Sequence, residues 1–470
     1  MNGHGVTLTS FIVTICNVLY KPARKYFGKL LFGALMRPGT ISSWSRGHAE
    51  GLVKRMYEQL TRIGLKDESL QNAYALWLIE SLELYKVAEI KLIVDDTPIK
   101  RYGKKVQGAG LHHNPTDKAN ANSCCYGHSL VMISIVIEHS RWKSISTPLR
   151  WRFYVRKEDL KSISAKVRPS FQTKLEIAAE LFFGVKKAFE KAGIDPTITL
   201  LHDRGYVSTE LWNKLCGKKD DEAPSDEGKE FSDVKFRVVT RFKKNSVFYE
   251  LPEEVSTETK RRGRPRLYGE ARRVRDIVAD PSIPLQQAVF NLYGSEKKTC
   301  VEYKSQVLTS RIAKGSPILV VVSRLVDKKK GKVGEWGIFV SSDTSTLAEE
   351  VIKRYALRFG IEELFKDLKQ DCGLGLQQTR RYERSQSSAS IVIAGYSLVE
   401  VWSFDQDENE LKSLRNVWDD MERRPSHRDK LCAMRKKQLW ELYFEQYTDR
   451  INRDLLNEIY DNLVFYVSAI

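Results

Sequence analysis

Two short apolar runs that end in aspartate constrain the fold of this chain most strongly. The first reads IKLIVDD and ends in Asp95 and Asp96, and the second reads TITLLHD and ends in Asp203. Runs rich in Ile, Leu and Val are typical of central strands buried on both faces. An ionised carboxylate at the end of such a strand is costly to desolvate without a cation. The runs therefore predict a buried sheet whose strands bring aspartates from distant segments together, as a metal site would require. A lone aspartate at the end of a strand is also a common helix cap or turn former.

A polar helix face is predicted between Tyr355 and Lys369, in the segment YALRFGIEELFKDLK. Tyr355, Arg358, Glu362 and Lys369 are spaced by three, four and seven residues, which places them within roughly a 60° arc of one face, opposite an apolar stripe. The carboxylate suits a divalent metal ion, and the cations suit phosphate. An ordinary amphipathic helix with a solvated charged face would show the same polarity.

At these segments the sequence resembles the bacterial cut-and-paste insertion-sequence transposases, which have a DDE triad on an RNase H-like fold. The helix has their Tyr-x2-Arg-x3-Glu-x6-Lys signature at every position. HDRGY at 202–206 resembles the segment around their second aspartate, and VDDTPIKRYGKK at 94–105 resembles the first. The likeness extends roughly from Lys91 to Tyr396. It implies an α/β fold in which a mixed sheet is flanked by helices.

The resemblance also implies the residues that bind metal. Asp95, Asp203 and Glu362 would form the catalytic triad and hold two Mg²⁺ ions, with Mn²⁺ as a substitute. Asp96 is the alternative to Asp95, because neighbouring residues of a strand point to opposite faces. Asp95 is preferred, since Thr97 completes the family pattern Asp-x-Thr.

Several residues near this triad are expected to contact DNA. By the resemblance, Tyr355, Arg358 and Lys369 would bind phosphates near the cleaved transposon end and help to hold a flipped base. Trp336 could supply a stacking surface, although packing in the sheet explains an aromatic residue there equally well. Arg204, directly after the second aspartate, is placed to touch DNA phosphates. The same holds for the basic residues of the loop after the first aspartate, Lys100, Arg101, Lys104 and Lys105, although solvation explains the lysines equally well.

Breaks in the pattern divide the chain into five parts. Residues 1–88 read as a helical N-terminal domain that either recognises DNA ends or only packs on the core. Residues 89–243 and 346–400 read as the two parts of an RNase H-like core, and the second part contains the catalytic glutamate helix. Residues 244–345 between them read as a β-rich insertion. Residues 401–470 read as a helical C-terminal region, for which the resemblance implies a role in dimerisation.

Within the predicted insertion, RGRPR at 262–266 is similar to the core of an AT-hook. Arg262, Arg264 and Arg266 would suit an AT-rich minor groove, whose negative potential attracts guanidinium groups. General phosphate contact or a solvated loop explains the same residues. The lysines at 328–330 are predicted to lie at a hairpin tip that nonspecific DNA contact could exploit.

Composition agrees with a nucleic-acid partner. The chain has 77 Lys and Arg residues against 60 acidic ones, and its net charge of +17 favours a polyanion. Its 7 cysteines lack paired metal-ligand spacing, which suggests a reduced compartment. No secretory leader is found, and the stretch VTLTSFIVTICNVLY is too short to span a bilayer. A cytoplasmic, nucleoid-associated bacterial protein without a membrane partner is therefore expected.

The function that the resemblance implies is DNA transposition. The protein would cut double-stranded DNA at the terminal inverted repeats and join the ends to target DNA, with a hairpin intermediate and a homodimer in the synaptic complex. Two alternatives stay open. An RNase H-like nuclease would cut without joining, and a noncatalytic DNA-binding protein derived from a transposase would only bind.

Overall fold

The computed structural model of this chain describes residues 8–45, 50–113, 123–216, 236–252, 266–292, 298–327 and 332–443. Some of the predicted features lie outside these ranges, namely Arg262, Arg264, the lysines at 328–330 and the last part of the C-terminal region, 444–470. No helix in the described ranges is long and apolar enough to cross a membrane.

Helices form both ends of the described chain and flank its middle. They are α1 (Leu8–Cys16), α2 (Lys21–Met36), α3 (Ile41–Trp44), α4 (Glu50–Gly64), α5 (Asp67–Ser81), α6 (Lys174–Lys191), α7 (Thr209–Cys216), α8 (Val274–Ala279), α9 (Ala348–Leu357), α10 (Gly360–Gln370), α11 (Tyr382–Ser403), α12 (Glu408–Lys412) and α13 (His427–Tyr443).

The strands lie between α5 and α9. They are β1 (Glu89–Lys100), β2 (Gly110–His113), β3 (Cys124–His139), β4 (Lys143–Tyr154), β5 (Thr197–His202), β6 (Phe236–Phe242), β7 (Val247–Tyr249), β8 (Ala271–Arg273), β9 (Gln286–Asn291), β10 (Lys298–Leu308), β11 (Ile318–Asp327), β12 (Lys332–Val333) and β13 (Gly337–Ser341). The short strands β7 and β8 pair only with each other among the described strands, and the rest belong to one 11-stranded sheet.

Five neighbouring strands of that sheet, in the order β4-β3-β1-β5-β6, form an RNase H-like core. The strands β1, β5 and β6 run parallel, and β3 runs antiparallel between β1 and β4. Helix α6 packs on β3 and β4, α10 on β1 and β4, and α9 on β5 and β6. The predicted fold class, a mixed sheet flanked by helices with helical termini, is confirmed.

The apolar runs form the centre of this sheet, as predicted. Leu92, Ile93 and Val94 of β1 and Leu200 and Leu201 of β5 are all buried. Because consecutive residues of a strand point to opposite faces, this continuous burial shows that both faces of β1 and β5 are covered.

The strands of the region predicted as an insertion continue the core sheet. β13 pairs antiparallel with β6, and the order beyond it is β13-β11-β10-β9. Apart from β7 and β8, the described strands therefore form one sheet across both regions. The division of the chain into domains stays a prediction.

The N-terminal helices pack against the long helix α11 through close backbone contact. α4 and α2 both contact α11, and a β-carbon at Gly64, the last residue of α4, would overlap the carbonyl oxygen of Glu383. Only a residue without a side chain allows this approach.

Replacing Gly64 by Ala should therefore lower the free energy of unfolding by about 1–3 kcal/mol, because one of the two helices must shift. Urea unfolding of the purified chain measures the change. Gly28→Ala is the matched control: it lies inside α2, its new methyl group would meet Ile12 at an ordinary 3.4 Å, and it should be neutral or stabilising by up to about 1 kcal/mol. Equal stability of Gly64→Ala and the wild type would contradict the prediction.

Candidate active site

The two predicted aspartates lie where two parallel strands separate. Pairing of β1 with β5 ends at Val94 and His202, so Asp95 and Asp203 are the next residues on neighbouring strands. β5 stops there, but β1 continues to Lys100 beside β3. The sequence suggested that the first apolar run ends together with its strand, but the strand continues beyond it. The run marks the end of the pairing with β5.

Asp203 lies close enough to Asp95 for its charge to affect the pKa of Asp95. Burial and the negative charge of Asp203 raise the pKa of Asp95 to about 7, whereas an unperturbed aspartate has a value of about 3.9. Asp203 also caps the one-turn 3-10 helix Arg204–Tyr206, since its Oδ1 accepts a hydrogen bond of 2.7 Å from the Gly205 backbone. A capping role and a place beside Asp95 are therefore compatible.

The segment with the four signature residues is not one uninterrupted helix, and that prediction is wrong. α9 ends at Leu357 and α10 begins at Gly360, with a tight turn at Arg358 and Phe359. The hydrogen bonds of this turn join residues three apart, as in a 3-10 helix; for example, the Arg358 amide donates to the Tyr355 carbonyl at 3.0 Å.

Gly360 gives a physical reason for the break. Glycine is a poor helix former, and a β-carbon at this position would overlap the Ser146 hydroxyl of β4. The backbone of α10 thus approaches the sheet closely where the helix restarts.

Arg358 joins two of the three predicted carboxylates across this turn. Its Nη1 lies 3.2 Å from Asp95 Oδ2, and its Nη2 donates to Glu362 Oε1. Its guanidinium also lies over the ring of Tyr355, 5.8 Å from the centroid, while Phe339 packs on that ring at 4.8 Å. Tyr355 and Glu362 therefore both contact Arg358, although the helix is broken at this point.

Lys369, the last signature residue, contacts β1 two residues beyond Asp95. Its Nζ donates to Thr97 Oγ1 at 2.5 Å, and burial lowers the pKa of this lysine. Thr97 is the residue that completes the Asp-x-Thr pattern. The last residue of the helix signature therefore contacts the last residue of the pattern around the first aspartate.

Asp96 has a different set of partners. Its Oδ2 accepts hydrogen bonds from Ser129 Oγ at 3.0 Å and from Lys174 Nζ at 2.5 Å, and its Oδ1 accepts one from the Tyr206 hydroxyl at 3.2 Å. The structure thus separates two adjacent aspartates that sequence alone left as alternatives. No sequence signal identified these three donors, because they come from segments far apart in the chain.

The remaining residues predicted to contact DNA differ in how exposed they are. Arg204 is exposed beside Asp203, and Arg266 is exposed at the start of a described range. The half-buried ring of Trp336 has the Arg324 guanidinium 4.5 Å from its centroid. Arg101, in the basic loop after the first aspartate, is only 4% exposed. Its guanidinium donates to the Gln377 carbonyl and to His128, so it serves the fold.

The donor chemistry of the three carboxylates fits a hard divalent cation. Partly buried Asp95, with its raised pKa, is the kind of group that a nearby cation stabilises. Within the described ranges, however, no three or more His, Cys, Asp or Glu side chains are already arranged around one metal position. The Arg358 guanidinium lies between Asp95 and Glu362. A metal ion shared by these two carboxylates would replace that contact.

Comparison with known proteins finds a family similar to part of the chain. Residues 186–398 match the family described as "Transposase DDE domain". This range contains Asp203, Glu362 and the four signature residues, and Asp95 lies before it. Among curated proteins, none matches the chain. The matched domain, together with the RNase H-like order of the core strands, supports an insertion-sequence DDE transposase.

Proposed function

We propose that this transposase cuts the ends of its insertion sequence and joins them to target DNA, with Asp95, Asp203 and Glu362 as its catalytic triad. One observation carries the assignment: Arg358 contacts both Asp95 on β1 and Glu362 on α10, and Asp203 follows the strand beside Asp95. Three acidic residues from distant segments thus belong to one site.

The chemistry would depend on divalent ions held by these carboxylates. Two Mg²⁺ ions, or Mn²⁺ in their place, would activate the attacking water or 3′ hydroxyl and stabilise the leaving oxygen of the phosphodiester. The protein would supply the ligands and their position. The same site would act first in cleavage and then in joining, with a hairpin on the element end between the two steps.

The basic signature residues would hold the DNA backbone at the carboxylates. Arg358 and Lys369 can donate charge-assisted hydrogen bonds to phosphate, and exposed Arg204 lies beside Asp203. The net charge of +17 favours association with the nucleoid. Stacking by Trp336, minor-groove contacts by Arg262, Arg264 and Arg266, and a homodimer in the synaptic complex remain part of the proposal.

An assay with a DNA duplex that carries the element's terminal inverted repeat, together with a target plasmid, tests this function. With Mg²⁺ or Mn²⁺ we expect cleavage at the repeat, a hairpin end and joined products, and with EDTA we expect binding only. Cleavage without joined products would instead support a nuclease, and a gel shift without cleavage in either metal would support a noncatalytic binder.

A further inference from the structure

Asp96 is the neighbour of a proposed metal ligand, yet both oxygens of its carboxylate accept hydrogen bonds from the protein. The three donors come from three different elements: Ser129 from β3, Lys174 from the first residue of α6, and Tyr206 from the turn after Asp203. A metal ion at Asp96 would compete with these donors, one of which is an ammonium group in a charge-assisted contact of 2.5 Å.

The contact with Tyr206 links Asp96 to the second aspartate. Tyr206 is the last residue of the 3-10 turn that Asp203 caps through its own side chain. The Tyr206 ring is buried, with 4% exposure, so its hydroxyl is held in place by packing. A hydrogen bond from this hydroxyl to β1 therefore fixes the turn, and with it Asp203, relative to Asp95.

We propose that Asp96 is a positioning residue that sets the separation of Asp95 and Asp203 by holding the turn after Asp203 and the start of α6 against β1. The inference rests on the proposed function, because it gives Asp95 and Asp203 their roles as ligands. The two adjacent aspartates then divide the work according to the strand's alternation. Asp95 faces Arg358 and Glu362, and Asp96 faces the elements that support them.

Kinetics of strand cleavage test this role in the full-length protein. Asp96→Asn removes the charge that pairs with Lys174, and Tyr206→Phe removes only the hydroxyl. Each should lower kcat by about 10- to 100-fold and leave KM for DNA unchanged. This is the usual cost of losing a residue that orients a metal ligand, because a small displacement of the ligand slows the reaction. The double variant should be little worse than Asp96→Asn alone, because Tyr206 acts through its hydrogen bond to Asp96.

Metal substitution separates positioning from ligation. If Asp95 binds metal, Asp95→Cys should lose cleavage in Mg²⁺ and regain part of it in Mn²⁺, which accepts a thiolate ligand better than Mg²⁺ does. Asp96→Cys should show no such preference for Mn²⁺. Binding of Mn²⁺ alone, measured by electron paramagnetic resonance of the free ion, should be weakened much more by Asp95→Asn than by Asp96→Asn.

The outcomes are distinct. Loss of Mn²⁺ binding in Asp96→Asn equal to that in Asp95→Asn, or Mn²⁺ rescue of Asp96→Cys, would show that Asp96 is a ligand and overturn the proposal. Wild-type kcat in both Tyr206→Phe and Lys174→Met would also overturn it, and these variants decide the matter if Asp96→Asn does not fold. A wild-type protein that neither binds Mn²⁺ nor cleaves DNA would instead refute the proposed function.

Discussion

Glu362→Gln should reduce cleavage of the transposon end by a factor on the order of 10³ or more, a loss typical for a residue of a catalytic unit. The substitution keeps the size of the side chain but removes the negative charge that would hold a divalent ion opposite Asp95. Arg358 loses one of its two ionic partners in the same variant but keeps Asp95. Because Glu362 is about half exposed, the fold should be little affected. Single-turnover cleavage of a labelled terminal repeat measures the effect.

The adjacent residue provides the matched control. Glu363 lies on the same helix with the same side-chain exposure, 46%, and pairs with Arg424 at 3.3 Å, not with Arg358. Glu363→Gln should therefore cleave at close to the wild-type rate. DNA binding in a gel shift should survive in both variants. Cleavage at a normal rate by purified Glu362→Gln would remove this residue from the triad.

The sheet was predictable because its strands are buried on both faces. Such strands need continuous apolar runs, so IKLIVDD and TITLLHD indicated both the central strands β1 and β5 and the positions of their aspartates. The spacing of the signature residues likewise indicated a helical segment that brings Arg358 to Glu362, because side chains four residues apart are neighbours on a helix. Local patterns thus specify contacts that depend on local geometry.

Contacts between distant segments were not predictable in the same way. The break before α10 depends on Gly360 approaching Ser146, and periodicity contains no trace of that partner. Arg101 reads as one more basic residue of a DNA-facing loop, but burial against His128 gives it a structural role. A pattern reports which face of an element is apolar, and it does not report which distant polar groups that element meets.

A second region missed by sequence reasoning lies beside α10, where α11 and α13 share a buried ionic cluster. Glu400 of α11 pairs with His427 at 2.7 Å and with Lys430 at 2.5 Å, both from α13, and all three side chains are at most 4% exposed. Tyr396 stacks on the His427 ring at 4.2 Å, and Lys430 lies over the ring of Trp142 at 4.3 Å. This cluster fastens α13, in the C-terminal region, to α11.

Glu400→Gln should lower the free energy of unfolding by about 3–5 kcal/mol, because removal of one partner leaves the buried charge of Lys430 uncompensated. The penalty exceeds what the ion pair itself contributes, since a buried pair is costly to desolvate in the first place. Urea unfolding of the purified protein gives the value. Glu422→Gln, an exposed residue between α12 and α13, is the control and should change stability by less than about 0.5 kcal/mol.

The pH dependence of unfolding provides a separate signature of this cluster. Burial alone would raise the pKa of Glu400, but Lys430 and His427 outweigh it and lower the value to about 2. Burial alone would lower the pKa of His427, but Cys372 and Glu400 outweigh it and raise the value to about 10.

The contribution of Glu400 to stability is thus complete above its ordinary pKa of about 4.5 and is lost as the pH falls towards 2. That of His427 is complete below about 6.5 and is lost as the pH rises towards 10. Stability from the cluster should therefore be greatest between about pH 4.5 and 6.5. The difference in stability between wild type and Glu400→Gln should shrink on both sides of that range, and a difference that stays constant from pH 3 to 9 would mean that the loss has a cause other than these charges.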